Sequence, residues 1–382
     1  MIYLDNAATS WPKPDAVASA VAATLAGAGS PARGAHPLAL EAGRVLWRTR
    51  SAGARLFGVR ADQVVLTHSA THALNIAVAG LLSPGDHAVA TDLEHNSVLR
   101  PLYAARARGV ELTIVRSERG VVAPDAVAAA LRPTTRAVVL THASNVLGTV
   151  QPIAAIAALC TDKGVLLILD AAQTAGALPL NLDALPVAAL ACGGHKALLG
   201  PAGTGLLVLR DGVRPRPFEV GGTGADTFNE SMPADLPEAL EAGTPNVPGL
   251  AGLAAGLEVA LDAGAATRPS EAWAAAMERA AQLRGGLEGL GCFTSPAIDP
   301  DAWGVPVVAG TVVGRAGALD SAEVADALAE RGIAVRGGFH CAPLLHRRYG
   351  TASGLVRFSP GHLTTAAEIE ATIAAVAQIA GA

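Results

Sequence analysis

Lysine is scarce in this chain. Of the 28 basic side chains among its 382 residues, only three are lysines: Lys13, Lys163 and Lys196. The chain also lacks a positive charge balance, because its formal net charge is −5. Without a basic field there is little to attract phosphate backbones, so nucleic-acid binding is not expected. The one arginine-rich run, "RVLWRTR" (44–50), is interpreted as the solvated side of a helix.

Cysteine is equally sparse. The four cysteines lie far apart and form no C-x-x-C pair: Cys160, Cys192, Cys292 and Cys341. This spacing argues against a disulfide framework and against a cysteine-rich zinc site. Three of them, Cys160, Cys192 and Cys292, are expected to be small buried residues.

Uninterrupted apolar stretches long enough to cross a bilayer are missing too. The longest apolar tract, 165–192, is broken by Asp170, Pro179, Asp183 and Pro186, whereas a membrane span needs about 20 apolar residues. The first ten residues, "MIYLDNAATS", lack a basic region followed by an apolar run, so a signal peptide is not expected. A cytoplasmic location without membrane contact is the expectation.

What the chain does have is a regular alternation of apolar runs and helical patterns. Seven apolar runs predict strands at 63–67, 87–91, 110–115, 136–142, 164–170, 186–192 and 204–210. Helices are predicted between them at 72–82, 95–108, 124–131 and 152–162. Apolar strands separated by helices indicate an α/β fold, with a mostly parallel seven-stranded sheet covered by helices on both faces.

The pattern changes after a Pro/Gly-rich stretch at 211–249. Helices are predicted at 249–263, 271–290, 320–331 and 364–379, and strands at 306–313 and 355–359. We expect a large α/β domain over 15–260. Residues 1–14 and 261–382 are expected to form a smaller α+β domain that carries Cys341 and Arg357.

Lys196 stands in "ACGGHKALLG" (191–200), among small and apolar neighbours. A desolvated lysine can lose its proton and form a Schiff base, which arginine cannot do. By contrast, Lys13 is interpreted as an exposed turn residue and Lys163 as the basic end of a helix. Asp170 ends the apolar run "GVLLILD", where a buried carboxylate needs a partner. It is either a helix N-cap or the partner of a protonated pyridine nitrogen, as pyridoxal phosphate (PLP) requires.

A phosphate site is suggested by "SATHALN" (69–75), where small residues and a hydroxyl precede a helix. Such turns are also common as simple N-caps. The stretch "GPAGTG" (200–205) matches neither the P-loop pattern nor the dinucleotide fingerprint, so a nucleotide site is the poorer interpretation.

These residues belong to motifs that occur in one order along essentially the whole chain. They are "YLDNAATSWPKP" (3–14), "RGAH" (33–36), "THSATHALN" (67–75), "LEHNS" (93–97), "SNVLGT" (144–149), "DAAQTAG" (170–176), "GGHKALLGPAGTG" (193–205), "AGTPN" (242–246), "HCAP" (340–343) and "VRFSPG" (356–361). In them the chain resembles class V aminotransferase-fold enzymes, specifically the cysteine desulfurase and selenocysteine lyase branch. The resemblance implies PLP-dependent fold type I.

The resemblance also implies roles for individual residues. Lys196 would carry the Schiff base and move a proton, and Asp170 would pair with the pyridine nitrogen. His95 would stack on the ring, with Gln173 and Asn145 near its phenolic oxygen. Phosphate donors would come from Ala70, Thr71 and His195. Thr244 would reach the neighbouring subunit's phosphate, which implies a homodimer. The substrate carboxylate would be bound by Arg357, together with Asn145 and Arg336.

Cys341 would accept sulfur from the substrate L-cysteine, leaving L-alanine and an enzyme persulfide for delivery to an acceptor protein. The thiolate is the competent nucleophile, and His340 and Arg336 are expected to lower its pKa. Two other interpretations stay open: a buried structural cysteine, and a metal site with His340 and His346. Gly193 and Ala70 stand where family members commonly have hydroxyl residues.

Other functions remain open at this point. The same cofactor supports a selenocysteine lyase, another C–S lyase, an epimerase or a transaminase. A non-catalytic partner in sulfur assembly is disfavoured, because Lys196, Asp170, His95 and Arg357 are all present. A nicotinamide oxidoreductase lacks its glycine fingerprint here.

Overall fold

The structure is a computed structural model that describes residues 1–31, 34–224 and 226–381. Arg33 of the "RGAH" motif lies outside these residues. The helices are α1 Asp15–Gly27, α2 Pro37–Phe57, α3 Ala70–Leu81, α4 Asn96–Ala107, α5 Pro124–Ala130, α6 Ile153–Asp162, α7 Val247–Asp262, α8 Glu271–Gly289, α9 Ser321–Ala329, α10 Pro343–Tyr349 and α11 Ala366–Ala380. The strands are β1 Ile2–Tyr3, β2 Val64–Thr67, β3 His87–Thr91, β4 Glu111–Val115, β5 Thr135–Thr141, β6 Leu166–Asp170, β7 Ala189–Gly193, β8 Gly205–Leu209, β9 Phe293–Thr294, β10 Val308–Gly314, β11 Gly317–Ala318, β12 Ile333–Ala334, β13 Arg336–Gly338 and β14 Leu355–Phe358.

Seven strands form the main sheet in the order β2-β8-β7-β6-β5-β3-β4. Strands β7, β6, β5, β3 and β4 pair in parallel, and β8 runs antiparallel to both of its neighbours. The prediction of a mostly parallel seven-stranded sheet is confirmed. Because parallel strands point the same way, their carboxyl ends meet at one edge of the sheet, where ligands bind in such folds.

Both faces of this sheet are buried, as β5 illustrates. Val138 and Leu140 point into one apolar cluster, while Ala137 and Val139 point into another on the opposite face. Side chains alternate between the two faces of a strand, so a continuous apolar run buries both. The helices that cover the two faces therefore account for the unbroken apolar strands in the sequence.

A second sheet is formed late in the chain, in the order β11-β10-β14-β13, with β9 added to β10. Its strands pair antiparallel, and its apolar cluster includes Leu4 from the first residues of the chain and Phe358 from β14. The sequence predicts β10 and β14 but not the short strand β13. In the pairing of β13 with β14, Arg336 lies directly opposite Arg357. The domain boundaries inferred from the sequence stay a prediction.

The arginine-rich run lies on α2 as expected. Arg44 and Arg48 are exposed, while Val45 and Thr49 of the same run are buried. Arg50 instead forms an ion pair with Glu241. Among the described residues, no helix is both long and apolar enough to cross a membrane.

Candidate active site

A cavity of about 250 Å³ lies at the carboxyl edge of the main sheet. Strands β5, β6 and β7 each contribute their last residue to its lining: Thr141, Asp170 and Gly193. It is lined by all the predicted site residues except Thr244: Ala70, Thr71, His95, Asn145, Asp170, Gln173, His195, Lys196, Arg336, Cys341 and Arg357. Residues more than 280 positions apart in sequence thus share one cavity.

Lys196 lies in the loop after β7, partly buried, and its amine makes no hydrogen bond with any described residue. The pKa of Lys196 is lowered to about 8, mainly by burial, with Arg357 and Arg336 acting in the same direction and Asp170 in the opposite one. A large share of the amine is therefore neutral near pH 8, as a nucleophilic lysine requires.

The loop that carries Lys196 is held by residues near the start of the chain. The carbonyl oxygen of His195 accepts hydrogen bonds from Thr9 Oγ1 at 2.9 Å, Ser10 Oγ at 3.2 Å and Lys13 Nζ at 2.7 Å. Ser10 Oγ also donates to the carbonyl of Lys196 at 2.8 Å. The interpretation of Lys13 as an exposed turn residue is wrong: it is half-buried against this loop, and burial lowers its pKa to about 8.

Asp170 ends β6 and is buried. Its Oδ1 accepts the backbone N–H of Ala172 at 2.9 Å, and no described residue donates to Oδ2. The following segment is a series of turns and not a helix, so the helix N-cap interpretation is wrong. Burial raises the pKa of Asp170, while Lys196 acts to lower it. A buried carboxylate with a free oxygen is suited to accept a hydrogen bond from a protonated ring nitrogen.

His95 precedes α4 and caps it. Its Nδ1 accepts the backbone N–H of Ser97 at 3.0 Å, which leaves the proton of the neutral ring on Nε2. Burial lowers the pKa of His95 to about 4, so the ring is neutral at physiological pH. Ser97 Oγ lies 2.8 Å from Nδ1 and shares a hydrogen bond of 2.7 Å with Thr71 Oγ1. This chain of hydroxyls links the predicted ring-stacking residue to the predicted phosphate site.

The first turn of α3 faces the same cavity. Ser69 caps the helix by accepting from the N–H of His72. The backbone N–H groups of Ala70 and Thr71 donate no hydrogen bond to the described residues, as expected for unpaired groups at a helix start. A helix N-terminus with free N–H groups favours an anion such as a phosphate. A side-chain carbon placed at Gly193 would lie 3.8 Å from the N atom of Ala70.

The residues thus fit PLP on three grounds: an unpartnered Lys196 amine, a free oxygen on buried Asp170, and free N–H groups at the start of α3. Gln173 lines the same cavity as Lys196, and its Nε2 donates to the carbonyl of Ala7 at 3.1 Å. His195 lines the cavity too, and burial lowers its pKa to about 4.

Two arginines from the second sheet, one on β13 and one on β14, line the cavity. Arg357 is buried, and its Nη1 donates to the carbonyl of Asn145 at 3.1 Å. Its Nη2 donates to Asp5 Oδ1 at 2.9 Å, while Arg336 Nη2 lies 3.2 Å from Asp5 Oδ2. Asn145 Nδ2 in turn donates to the carbonyl of His340 at 2.8 Å. Asp5 therefore bridges both arginines that were predicted to bind substrate.

Cys341 is exposed and lines the cavity, whereas Cys160, Cys192 and Cys292 are buried as predicted. The interpretation of Cys341 as a buried structural cysteine is wrong. His340 and Cys341 both have left-handed backbone conformations, with φ of +47° and +57°. Side chains seldom adopt such angles unless the surrounding structure holds them there. The carbonyl of Cys341 accepts the N–H of Asn96 at 2.7 Å, which ties this loop to the start of α4.

The expected effect of His340 on the Cys341 thiol is wrong. His340 Nε2 lies 3.0 Å from the carbonyl of Leu355, and burial lowers its pKa to about 3. It is therefore neutral and supplies no positive charge. Burial lowers the pKa of Arg357, and the nearby Cys341 acts to raise it.

The alternative metal site at His340, Cys341 and His346 is not formed by the described residues. His346 Nδ1 is engaged with Thr351 Oγ1 at 2.7 Å, and His340 faces Leu355. The one His/Cys/Asp/Glu group that comes together in the described part of the chain is His68, His72 and Glu219. Its two imidazole rings are stacked, with only 15° between their planes. Parallel rings direct their lone pairs along separate planes, so this geometry does not favour a shared ion.

Thr244 is exposed and lies outside the Lys196 cavity. It lines a different cavity of about 470 Å³ together with Arg50, His72 and Glu241. Within one chain it therefore does not contribute to the site around Lys196.

Sequence reasoning gave no role to Asp5, Lys13 or Ser97, which position the cavity residues. Asp5 and Lys13 both stand in the "YLDNAATSWPKP" motif, and Ser97 in "LEHNS". Their presence in motifs was the available signal. Their contacts join parts of the chain up to 352 positions apart, which the sequence does not reveal.

Known proteins resemble this chain over most of its length. The family model for class-V aminotransferases matches residues 2–372. A probable cysteine desulfurase from Methanothermobacter thermautotrophicus is 33% identical over 358 residues, which covers 91% of this chain and 87% of that protein. The apo structure of a cysteine desulfurase from Thermococcus onnurineus NA1 superposes with a TM-score of 0.89 at 27% identity, covering 100% and 94% of the two chains. A C-DES mutant with glycine covalently linked to its PLP cofactor gives a TM-score of 0.83 at 26% identity, covering 98% and 96%.

Proposed function

This chain belongs to the class-V aminotransferase family, and we propose that it is a PLP-dependent cysteine desulfurase that transfers sulfur from L-cysteine to Cys341. The observation that carries the proposal is the placement of an exposed thiol in the same cavity as the Lys196 amine and the Arg357 guanidinium. That set provides a nucleophile for sulfur, an amine for the cofactor and a cation for a carboxylate.

PLP would be held by Lys196, Asp170, His95, Gln173, Ala70, Thr71 and His195. When bound, PLP withdraws electrons from the substrate's Cα and so weakens its bonds. The buried Asp170 would keep the ring nitrogen protonated. The free N–H groups of Ala70 and Thr71 would bind the phosphate.

The amino acid would be oriented by its carboxylate. Arg357 is suited to this task because its guanidinium presents donors in a fixed plane, and it is buried where water screens the charge least. Asn145 lies beside Arg357 and would assist. Lys196, once released from the cofactor, would remove the proton from Cα, and its pKa of about 8 suits that role near neutral pH.

Sulfur transfer would use the Cys341 thiolate. Its Sγ attacks the substrate sulfur, an S–S bond forms, and the substrate's Cβ–S bond breaks with its electron pair remaining on carbon. Protonation of that carbon yields L-alanine, and the enzyme keeps the sulfur as a persulfide. The exposure of Cys341 is suited to passing this sulfur to an acceptor protein.

A homodimer is part of the proposal. Thr244 is exposed and does not line the Lys196 cavity of its own chain, so we infer that it serves the phosphate site of a second copy. The cytoplasmic location expected from the sequence stays a prediction.

The test is turnover of L-cysteine by the PLP-loaded protein, with alanine and protein-bound persulfide measured together. Cys341→Ala is expected to abolish both products, and Cys292→Ala, which alters a buried cysteine, is the matched control. L-Selenocysteine is assayed in parallel. Loss of cysteine turnover with retention of selenocysteine turnover in Cys341→Ala would favour a selenocysteine lyase. Persulfide on a different cysteine would contradict the assignment.

A further inference from the structure

Arg336 and Arg357 form a pair of like charges on neighbouring strands. They stand directly opposite each other where β13 pairs antiparallel with β14, and both line the Lys196 cavity. Like charges directly across a strand pair repel and destabilise the sheet. Two guanidinium groups at a substrate site also provide charge for two carboxylates, whereas L-cysteine brings only one.

Asp5 compensates this pair from the far end of the chain. Its Oδ1 accepts from Arg357 Nη2 at 2.9 Å and its Oδ2 lies 3.2 Å from Arg336 Nη2. Its side chain is 14% exposed, while those of Arg357 and Arg336 are 3% and 53% exposed. Asp5 does not line the cavity, whereas both arginines do, so it acts on the cavity through them.

The backbone around Asp5 is fixed in place. Asp5 forms a parallel bridge with Ser359, the N–H of Ser359 donates to the carbonyl of Leu4 at 2.6 Å, and the N–H of Ala7 donates to Ser359 Oγ at 2.9 Å. The carboxylate is therefore held next to the end of β14, and its contacts with the two arginines do not depend on a mobile terminus.

We propose that Asp5 is a specificity-determining residue that makes the site select amino acids with one carboxylate over acidic amino acids. Two guanidinium charges and one carboxylate leave a net charge of +1 beside the cavity, which matches one α-carboxylate. Without Asp5, Arg336 would be free to bind a second acidic group, such as the side chain of L-aspartate or L-cysteine sulfinate. The proposal deepens the proposed function and rests on it for the position of the α-carboxylate at Arg357.

The test is equilibrium binding of L-alanine and L-aspartate to the PLP-loaded protein, measured by calorimetry, in wild type and Asp5→Asn. The ratio of the two dissociation constants is the readout. A general disturbance of Arg357 would lower the affinity for both ligands alike and leave this ratio unchanged. We expect the ratio to shift toward L-aspartate by on the order of tenfold, the contribution of one hydrogen bond between charged groups. Asp5→Glu keeps the charge and is expected to leave the ratio close to that of wild type.

Arg336→Gln added to Asp5→Asn is expected to reverse the shift, since it removes the cation that Asp5→Asn releases. Asp62→Asn, which alters an exposed aspartate paired with Arg60 far from the site, is the control. If Asp5→Asn does not fold, Asp5→Ser, which also removes the carboxylate, supplies the readout, and the same shift of the ratio toward L-aspartate is expected. Equal weakening of both ligands in Asp5→Asn would overturn the proposal.

Failure of the proposed function has a separate signature. Wild-type protein that binds L-alanine but forms no alanine from L-cysteine would overturn the desulfurase assignment, while the binding ratio would still decide the role of Asp5. Wild-type protein that binds neither amino acid would overturn both.

Discussion

Lys13 donates a hydrogen bond from Nζ to the carbonyl oxygen of His195 across 2.7 Å, directly before Lys196 in the chain. Its Nζ also lies 2.8 Å from Ser10 Oγ, which itself donates to the carbonyl of Lys196. The two half-buried lysines are thus connected through one loop: the first holds the backbone from which the second extends. Residues near the start of the chain thus support the loop that carries Lys196.

Replacing Lys13 tests this support. We expect Lys13→Met to weaken retention of PLP by about tenfold, because it removes hydrogen bonds from a charged donor to the Lys196 loop. The variant no longer buries an ammonium group, and this gain offsets part of the loss in the free energy of unfolding. The measurement is the PLP dissociation constant, from visible absorbance after dialysis. Lys163→Met, at the exposed end of α6, is the matched control. Equal retention in both variants would show that the Lys13 contacts do not matter.

The lowered pKa of Lys196 predicts a pH dependence. Burial disfavours the charged amine, so its pKa falls from 10.5 to about 8 and the neutral fraction grows through this region. We expect the rate of PLP incorporation into cofactor-free protein to rise from pH 7 and to level off above about pH 9. Stopped-flow absorbance measures the rate, and Lys196→Ala is expected to incorporate none covalently. A rate still rising steeply at pH 10 would contradict a desolvated amine.

Gly193 leaves room for a hydroxyl beside the start of α3. A side-chain carbon there would lie 3.3 Å from Cδ2 of His195, which is tight but requires only a small shift. We expect Gly193→Ser to tighten PLP binding by about threefold to tenfold, the contribution of one additional hydrogen bond. Gly193→Ala adds the carbon without the hydroxyl and is expected to bring no gain. If both variants bind PLP equally well, the hydroxyl makes no contact with the phosphate.

The four cysteines are expected to differ sharply in reactivity. Cys341 is exposed, whereas burial raises the pKa of Cys160 to about 11 and of Cys192 to about 12, and Cys292 is buried as well. Iodoacetamide should therefore modify one cysteine in the native protein and all four after denaturation. Intact-mass measurement counts the adducts, and Cys341→Ala should reduce the native count to none. Modification of Cys292 in the native protein would show that the second sheet opens more readily than its packing implies.

Much of the fold followed from local pattern. The apolar runs predicted each strand of the main sheet to within three residues at either end, because a strand buried on both faces must be apolar throughout. The short strand β13, "RGG", has no such pattern. It forms because β14 offers it a partner, and this is why the opposition of Arg336 and Arg357 was not foreseen.

The candidate site was predicted in part for the same reason. Polar residues at strand ends, such as Asp170, are recognisable because parallel strands end at a common edge. Lys13 was misjudged because "PKP" resembles an exposed turn, and only its contact with His195 places it inside. His340 was misjudged because sequence neighbourhood to Cys341 says nothing about burial, which makes its ring neutral.

The sequence by itself determined the positions of the apolar strands and of the polar residues at their ends, and it predicted Lys196 as the Schiff-base lysine and Cys341 as the nucleophile. These properties depend on the chemistry of single side chains and on the spacing of apolar residues along the chain. The tertiary structure alone decided which residues meet: Asp5 lies between two arginines, and Thr244 does not line the Lys196 cavity. The physical reason is that Coulomb interactions and burial depend on distance in space, and the chain brings together residues whose separation in sequence is unrelated to that distance.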